Sequence, residues 1–410
     1  MSAPPATLDL TDLDLFVNGG HHAVFDWLRE HDPVHWNATR DGSGFWAVTR
    51  HGDLVTAYRE HGVFSSAAGA MLGGSIGSQI DSATGLMLVA SDPPRQRQLR
   101  HVLHGAFAGH LLDRVREQVT GLVDRAVDRA LADGGCDFAT EIAPELPAGA
   151  LMAMVGLDHD QARHLISLTR RMIGYRDPVL TEGGGTDRFG LAETQAEIFE
   201  FFADLLQDPR MTRGDGLVGL LSRATLNGRP MSEEEVLFNC MNVAVGGNET
   251  SSYTACTGAL TLTAHPEQHE RLLSEPVLLE PAINEMLRWA SVNAYVQRVA
   301  KRDFELGGTT IRAGESVTLW NVSANRDARV FDDPHTFDIT RTPNRHLAYG
   351  SGIHRCIGAQ VAQIELETLF GRVVRDKIRF TLAGPPAPLR SNFILGTTSL
   401  PVHVTAERHH

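Results

Sequence analysis

The chain has 410 residues, 42% hydrophobic and 21% charged, an ordinary globular composition that excludes wholesale disorder. Fifty acidic against 37 basic side chains give a net charge of −13. That balance excludes a nucleic-acid scaffold, because displacing counterions from phosphates needs positive charge. Four cysteines, Cys136, Cys240, Cys256 and Cys356, are too few and too scattered for a disulfide framework. Residues Met1 to Leu15 carry three Asp and no basic group, unlike a secretory signal. No run of about 18 apolar residues marks a membrane span. A soluble cytoplasmic protein with no nucleic-acid or membrane partner is the expectation.

Most of the chain reads as helix, with strand patterns near the front and in the last third. Val34 to Val48 predicts a hairpin: Val34 and Trp36, a turn at Asp41-Gly42-Ser43-Gly44, then Phe45 to Val48. Two glycine-containing segments read as loops, Ser65 to Ser91 and Gly174 to Asp187. Loops of that length often cover a binding site, and a mobile surface loop is the alternative. Ser232 to Glu235 forms a capping box ahead of an apolar run that nothing stops before His265-Pro266. A helix of that span runs about 45 Å at 1.5 Å per residue. Gly246-Gly247 near its middle costs about 1 kcal/mol per glycine relative to Ala, which predicts close approach of another group or a local opening of the helix. Short strands are expected at Phe304 to Ile311 around Gly307-Gly308, at Val317 to Trp320, at Phe380 to Leu382 and at Val402 to Val404. No internal repeat or linker divides the chain, so residues 1–410 read as one unit. Its β-rich part is expected at roughly 33–50, 304–320 and the C-terminal region. The terminal His409-His410 reads as a tag remnant.

The segment richest in chemistry runs from His346 to Gly358, followed by an apolar helical pattern through Val361, Ile364 and Leu369. Cys356 falls at the loop-to-helix junction, where a helix N-terminus favours a thiolate. Gly350 and Gly352 permit a tight loop with backbone N–H groups turned to the sulfur. Gly358 leaves out a side chain that would block a flat cofactor, and a thiolate set this way suits a heme iron. Cys136, Cys240 and Cys256 read as small buried hydrophobes. Zinc is disfavoured because only His354 lies at ligand spacing from Cys356. A catalytic thiol is the competing reading.

Tyr349, Gly350, Gly352, His354, Cys356 and Gly358 resemble the cysteine-ligand loop of the cytochrome P-450 family, aromatic-Gly-x-Gly-x-His-x-Cys-x-Gly. Tyr349 departs from the family's usual Phe. Three further motifs match in order: Gly246-Gly247-Asn248-Glu249-Thr250 resembles the oxygen-activating motif, Glu285-Met286-Leu287-Arg288 the Glu-x-x-Arg signature, and Phe337 to Arg341 the second arginine of that buried network. Taken singly, Glu-x-x-Arg is most often a surface pair, and a helical Thr usually bonds its own turn. Asp92-Pro93-Pro94 through Arg100 resembles the helix that supplies a propionate-binding arginine, with Gln96 where many members have His. Arg298 and His354 match further propionate contacts.

The resemblance implies a mainly α, triangular heme-thiolate fold with a small β region, and heme b (iron protoporphyrin IX) as cofactor. Cys356 becomes the axial iron ligand, while Arg100, Arg298, His354, Gly350, Gly358 and Gly247 contact the cofactor. The implied reaction inserts one atom of O2 into a substrate C–H bond and releases the other as water, with Glu249 and Thr250 delivering protons. Glu285, Arg288 and Arg341 form the structural network. Peroxygenase or isomerase chemistry, or a catalytically silent recruitment module, are the alternatives, disfavoured by the presence of Glu249 with Thr250 and of an intact ligand loop. Pocket residues are expected at Met241, Asn242, Val245, Val292, Asn293, Tyr295 and Phe393. Asn293 and Tyr295 would be costly against a pure hydrocarbon, which favours a substrate with a polar handle, amino-acid-derived or carrier-bound, from secondary metabolism. Pro93 to Leu112 and Arg341 to Ile364 contain basic residues and no acid. Arg95, Arg97, Arg345 and Arg355 are expected as a surface patch for an acidic ferredoxin, itself served by a reductase.

Overall fold

A computed structural model describes Pro5 and residues 8–39, 42–72, 82–107, 109–181 and 188–407. Asp41, Gly183-Gly184-Gly185, part of the Ser65 to Ser91 loop and His409-His410 lie outside the described residues.

Helices dominate, as the composition and periodicity predict. The capping box forms: Ser232 Oγ accepts from the Glu235 N–H at 3.2 Å, and Glu235 Oε2 accepts from the Ser232 N–H at 2.7 Å. Helix Glu233–Ala264 runs from there for 32 residues and ends at His265. It stays α-helical through Gly246-Gly247, so the expected local opening is absent. A Cβ built on either glycine meets nothing within 4 Å, which shows open space on that side and no close protein neighbour. Around this helix pack Glu145–Met154, His159–Ile173, Arg188–Gln207, Leu279–Ala290 and Ala359–Arg375, with Gly109–Asp133 packed on Glu145–Met154 and Ala359–Arg375, sharing one large apolar core.

The β region forms where expected. Val34–Ala38 pairs antiparallel with Gly44–Val48, which pairs parallel with Ser316–Trp320. Tyr295–Ala300 follows antiparallel to Ser316–Trp320, and Phe64–Ser65 closes the five-stranded sheet. Strand Tyr295–Ala300 has no sequence expectation behind it, since its residues read only as cavity contacts. Buried on both faces at Tyr295, Gln297, Arg298 and Ala300, it lacks the alternation that marks a half-exposed strand. Arg379–Leu382, Pro401–Thr405 and Gly135–Asp137 make a second, three-stranded sheet. The Gly307-Gly308 turn joins Phe304–Leu306 to Thr309–Ile311. Among the described residues, no helix is long and apolar enough to cross a membrane.

Candidate active site

The Cys356 loop is fixed by backbone constraints. Gly350 and Gly352 take φ values of +63° and +69°, a region L-side chains rarely adopt. A Cβ on Gly352 would also stand 2.6 Å from the Tyr58 carbonyl. The Cys356 N–H donates to the Tyr349 carbonyl at 2.9 Å. Gly358 is the N-cap of helix Ala359–Arg375, and its N–H donates to the Cys356 sulfur. A Cβ on Gly358 would lie 3.9 Å from that sulfur and 3.7 Å from the Phe107 ring. Burial pushes the Cys356 thiol up, against the Gly358 N–H and the charges of Arg100 and Arg355. A bound metal ion would fix the thiolate, because coordination deprotonates a thiol outright.

Arg100, Arg298 and His354 gather beside this loop with no ion pair among the described residues, and Asp92 acts on Arg298 and His354 only at longer range. Arg298 is 6% exposed. Its Nη1 donates to the Gln297 carbonyl at 2.6 Å, and its guanidinium sits 5.9 Å from the Tyr58 ring centroid. Burial holds the Arg298 pKa below the usual range. The His354 Nε2 has no partner among the described residues, and burial, helped by Arg298 and Arg100, holds its pKa down to about 3. A buried guanidinium without an ion pair costs several kcal/mol, so Arg298, with the unpartnered His354 Nε2 beside it, fits a ligand carrying carboxylates. Gln96 spends one of its two amide N–H donors on the Ile353 carbonyl at 2.8 Å, so it could offer such a ligand at most one neutral hydrogen bond. Two propionates, an iron for the sulfur and a flat ring beside Gly358 are what heme would bring.

Helix Glu233–Ala264 presents an accessible stripe of Asn242, Val243, Gly246, Gly247 and Thr250 between buried Met241, Ala244, Asn248 and Glu249. The Thr250 hydroxyl donates to the Gly246 carbonyl at 2.9 Å. Glu249 is wholly buried and turned toward helix His159–Ile173. It accepts from the Thr169 hydroxyl and from Arg170 Nε, both at 3.3 Å. Burial raises the Glu249 pKa, opposed by Arg170 and its hydrogen-bond donors. Glu249 is thus engaged inside the protein and must turn to meet a ligand, whereas Thr250 already lies on the accessible stripe.

The Glu285–Arg288 pair is completely interior. Arg288 donates to both Glu285 oxygens at 2.7 Å and to the carbonyls of Asn325, Pro334 and Thr336. Arg341 Nε reaches Glu285 Oε2 at 3.2 Å, and the Asp338 N–H and Asn344 amide complete that carboxylate's shell.

The pocket expectations need revision. Met241 is 2% and Val292 5% exposed. Met241 belongs to the main core, and Val292 packs with Tyr253, Leu389 and Ile394. Both leave the list because apolar neighbours already cover them. Tyr295 and Phe393 do line a cleft of about 550 Å³, with Leu72, Ile173, Arg176 and Arg390. Yet the Tyr295 hydroxyl accepts from the Leu72 N–H at 3.1 Å, and Asn293 Oδ1 accepts from Asn321 Nδ2 at 3.3 Å. The acceptor sides of both residues are thus held by the protein, which weakens them as a polar handle for substrate. Val245 and Asn242 stay partly exposed. Arg95 is a further correction: it is ion-paired to Glu235 and donates to the Gly85 carbonyl at 2.9 Å, so it is not free surface charge. Arg97, Arg345 and Arg355 are exposed and have no ion pair among the described residues.

Sequence reasoning missed Arg170, Tyr253 and Glu365. Glu365 interrupts the apolar stripe Val361, Ile364, Leu369 of its helix and hydrogen-bonds Ser251 on the long helix. An acid within such a stripe was the available signal. Nothing local marks Arg170, whose partner is 79 residues away.

Fold and donor set together define a heme-thiolate enzyme, and comparison with known proteins agrees. The cytochrome P450 family model matches residues 190–386. Linalool 8-monooxygenase of Pseudomonas putida is 32% identical over 96% of this chain and 98% of its own. Cytochrome P450 NovI of Streptomyces niveus is 31% identical over 93% and 92%. A Mycobacterium marinum cytochrome P450 solved in complex with pseudoionone superposes with a TM-score of 0.88 at 29% identity, covering 98% of this chain and 99% of that one. The chain belongs to the cytochrome P450 family. It is a monooxygenase that uses heme iron, O2, a substrate and redox partners.

Proposed function

We propose that this enzyme binds heme b with Cys356 as axial ligand and hydroxylates a branched, largely apolar small molecule of secondary metabolism. The observation that carries the cofactor assignment is the gathering of Arg100, Arg298 and His354 beside the Cys356 sulfur, none of them ion-paired among the described residues. Heme supplies O2 binding and the oxidising chemistry when bound. The chain's own residues do the rest. Arg100, Arg298 and His354 hold the propionates, and Gly350, Gly358 and Gly247 leave the ring room. The Thr250 hydroxyl would pass a proton toward bound ligand, and Glu249, in its protonated form and released from Arg170, would replace that proton from the interior.

The substrate class rests on two supports. Acceptor groups of Asn293 and Tyr295 are held by Asn321 and the Leu72 N–H, and Leu72, Ile173 and Phe393 give the cleft its apolar contacts. One relative is named for linalool, and another was solved in complex with pseudoionone. Electrons come from an acidic ferredoxin and its reductase, docking at Arg97, Arg345 and Arg355. A cleft of about 480 Å³ lined by Arg355, His346, Gln360 and Gln363 lies beside the ligand loop on that side. Titrating the heme-loaded protein with acyclic terpenoid alcohols and with carrier-linked amino acids tests the substrate reading. A water-displacement shift of the Soret band is expected with the former alone, and the reverse result would contradict it.

A further inference from the structure

Tyr253 is 1% exposed and lies one turn after Glu249 on helix Glu233–Ala264. Its hydroxyl hydrogen-bonds the Glu249 carboxylate. The ring has little freedom: a Cβ on Gly396 would come within 2.5 Å of it, and Ala290, Val292, Leu389 and Ile394 pack with it. Gly396 belongs to the turn between Ala387–Pro388 and Thr397–Ser399, and its carbonyl accepts from the Leu389 N–H at 2.9 Å. The guanidinium of Arg170 stands 5.8 Å from the ring centroid while its Nε donates to Glu249. Three elements thus meet on one carboxylate: helix His159–Ile173 through Thr169 and Arg170, the long helix through Tyr253, and the C-terminal hairpin through the clamp on the phenol ring.

We propose that Tyr253 is a positioning residue for the proton-relay acid, its clamped phenol holding the Glu249 carboxylate against Arg170 until the relay turns. The inference rests on the reading of Glu249 as that acid. The titratable groups facing Glu249 are Arg170 from helix His159–Ile173 and, on its own helix, Tyr253 and Cys256, with Asp137 beyond Cys256. Burial pushes the Cys256 thiol up to about 12, so it stays neutral and cannot substitute as a charged partner. Burial also raises the Tyr253 phenol, which keeps its proton and acts as a donor. A hydroxyl donating to a carboxylate favours the charged form.

The test is the infrared band of the protonated Glu249 carboxyl, titrated in the resting heme-loaded protein and assigned by its absence in Glu249→Gln. Tyr253→Phe keeps the ring and deletes the donor. Its band midpoint is expected about one pH unit higher, a tenfold change in proton affinity. The pH profile of peroxide release during turnover is expected to move the same way. Should Tyr253→Phe fail to fold, 3-fluorotyrosine at position 253, a more acidic phenol and stronger donor, is expected to lower the midpoint. An unmoved midpoint in the substituted protein overturns the inference. Peroxide release unchanged in Glu249→Gln overturns the relay reading itself. An altered leak in Glu249→Gln beside an unmoved band in Tyr253→Phe overturns only the role of Tyr253.

Discussion

Glu365 is 2% exposed, and its Oε1 has no partner among the described residues. Burial raises its pKa from the ordinary 4.5 to about 8, opposed by the Ser251 hydrogen bond. The folded protein thus prefers the proton, so this carboxyl's contribution to stability is complete below pH 4.5 and is lost as pH rises through about 8. At about 1.4 kcal/mol per unit, the loss is on the order of a few kcal/mol. Glu365→Gln cannot ionise, so its urea-unfolding stability is expected to gain on wild type across that window and then run parallel. Curves parallel throughout would contradict the assignment. Thr250 makes a different prediction at the same scale. Thr250→Ala is expected to bind substrate and accept electrons yet release peroxide in place of product, because the helix face above the ring loses its hydroxyl. Unchanged coupling of reductant to product would show that another group carries the proton.

Among the elements, the long helix and the Glu285–Arg288 helix differ in what one substitution should cost. Ser232→Ala removes one N-cap hydrogen bond, worth about 1 kcal/mol. Glu285→Ala leaves Arg288, fully buried, and Arg341 without a carboxylate, and removing one partner of a buried pair costs roughly 3–5 kcal/mol. Urea unfolding of the two variants should show that ratio, and equal small losses would show the network to be dispensable. The long helix was readable because its cap, its apolar run and its proline stop are all local. The Cys356 loop was readable because spacing alone sets its geometry. Strand Tyr295–Ala300 was not readable, since a strand buried on both faces shows no alternation. Nor was the commitment of the Tyr295 hydroxyl, made to a backbone N–H 223 residues away. Arg95 misled because a charge in a basic stretch looks solvated until Glu235, 140 residues on, comes beside it.

Across the whole molecule, charge is unevenly placed: a chain at −13 exposes Arg97, Arg345 and Arg355 with no ion pair among the described residues. Such a patch steers an acidic donor and speeds encounter in a salt-dependent way. Reduction by an acidic ferredoxin is expected to slow with ionic strength and slow further in Arg97→Glu or Arg355→Glu. Rates indifferent to both would place the docking face elsewhere. All of this presupposes an iron held by Cys356, and one comparison tests that directly: the reduced, carbon monoxide-bound difference spectrum of wild type and Cys356→Ser. Wild type is expected to show the red-shifted Soret band of thiolate ligation, and Cys356→Ser to lose it. A thiolate band that persists in Cys356→Ser, or one absent from heme-loaded wild type, would contradict the account.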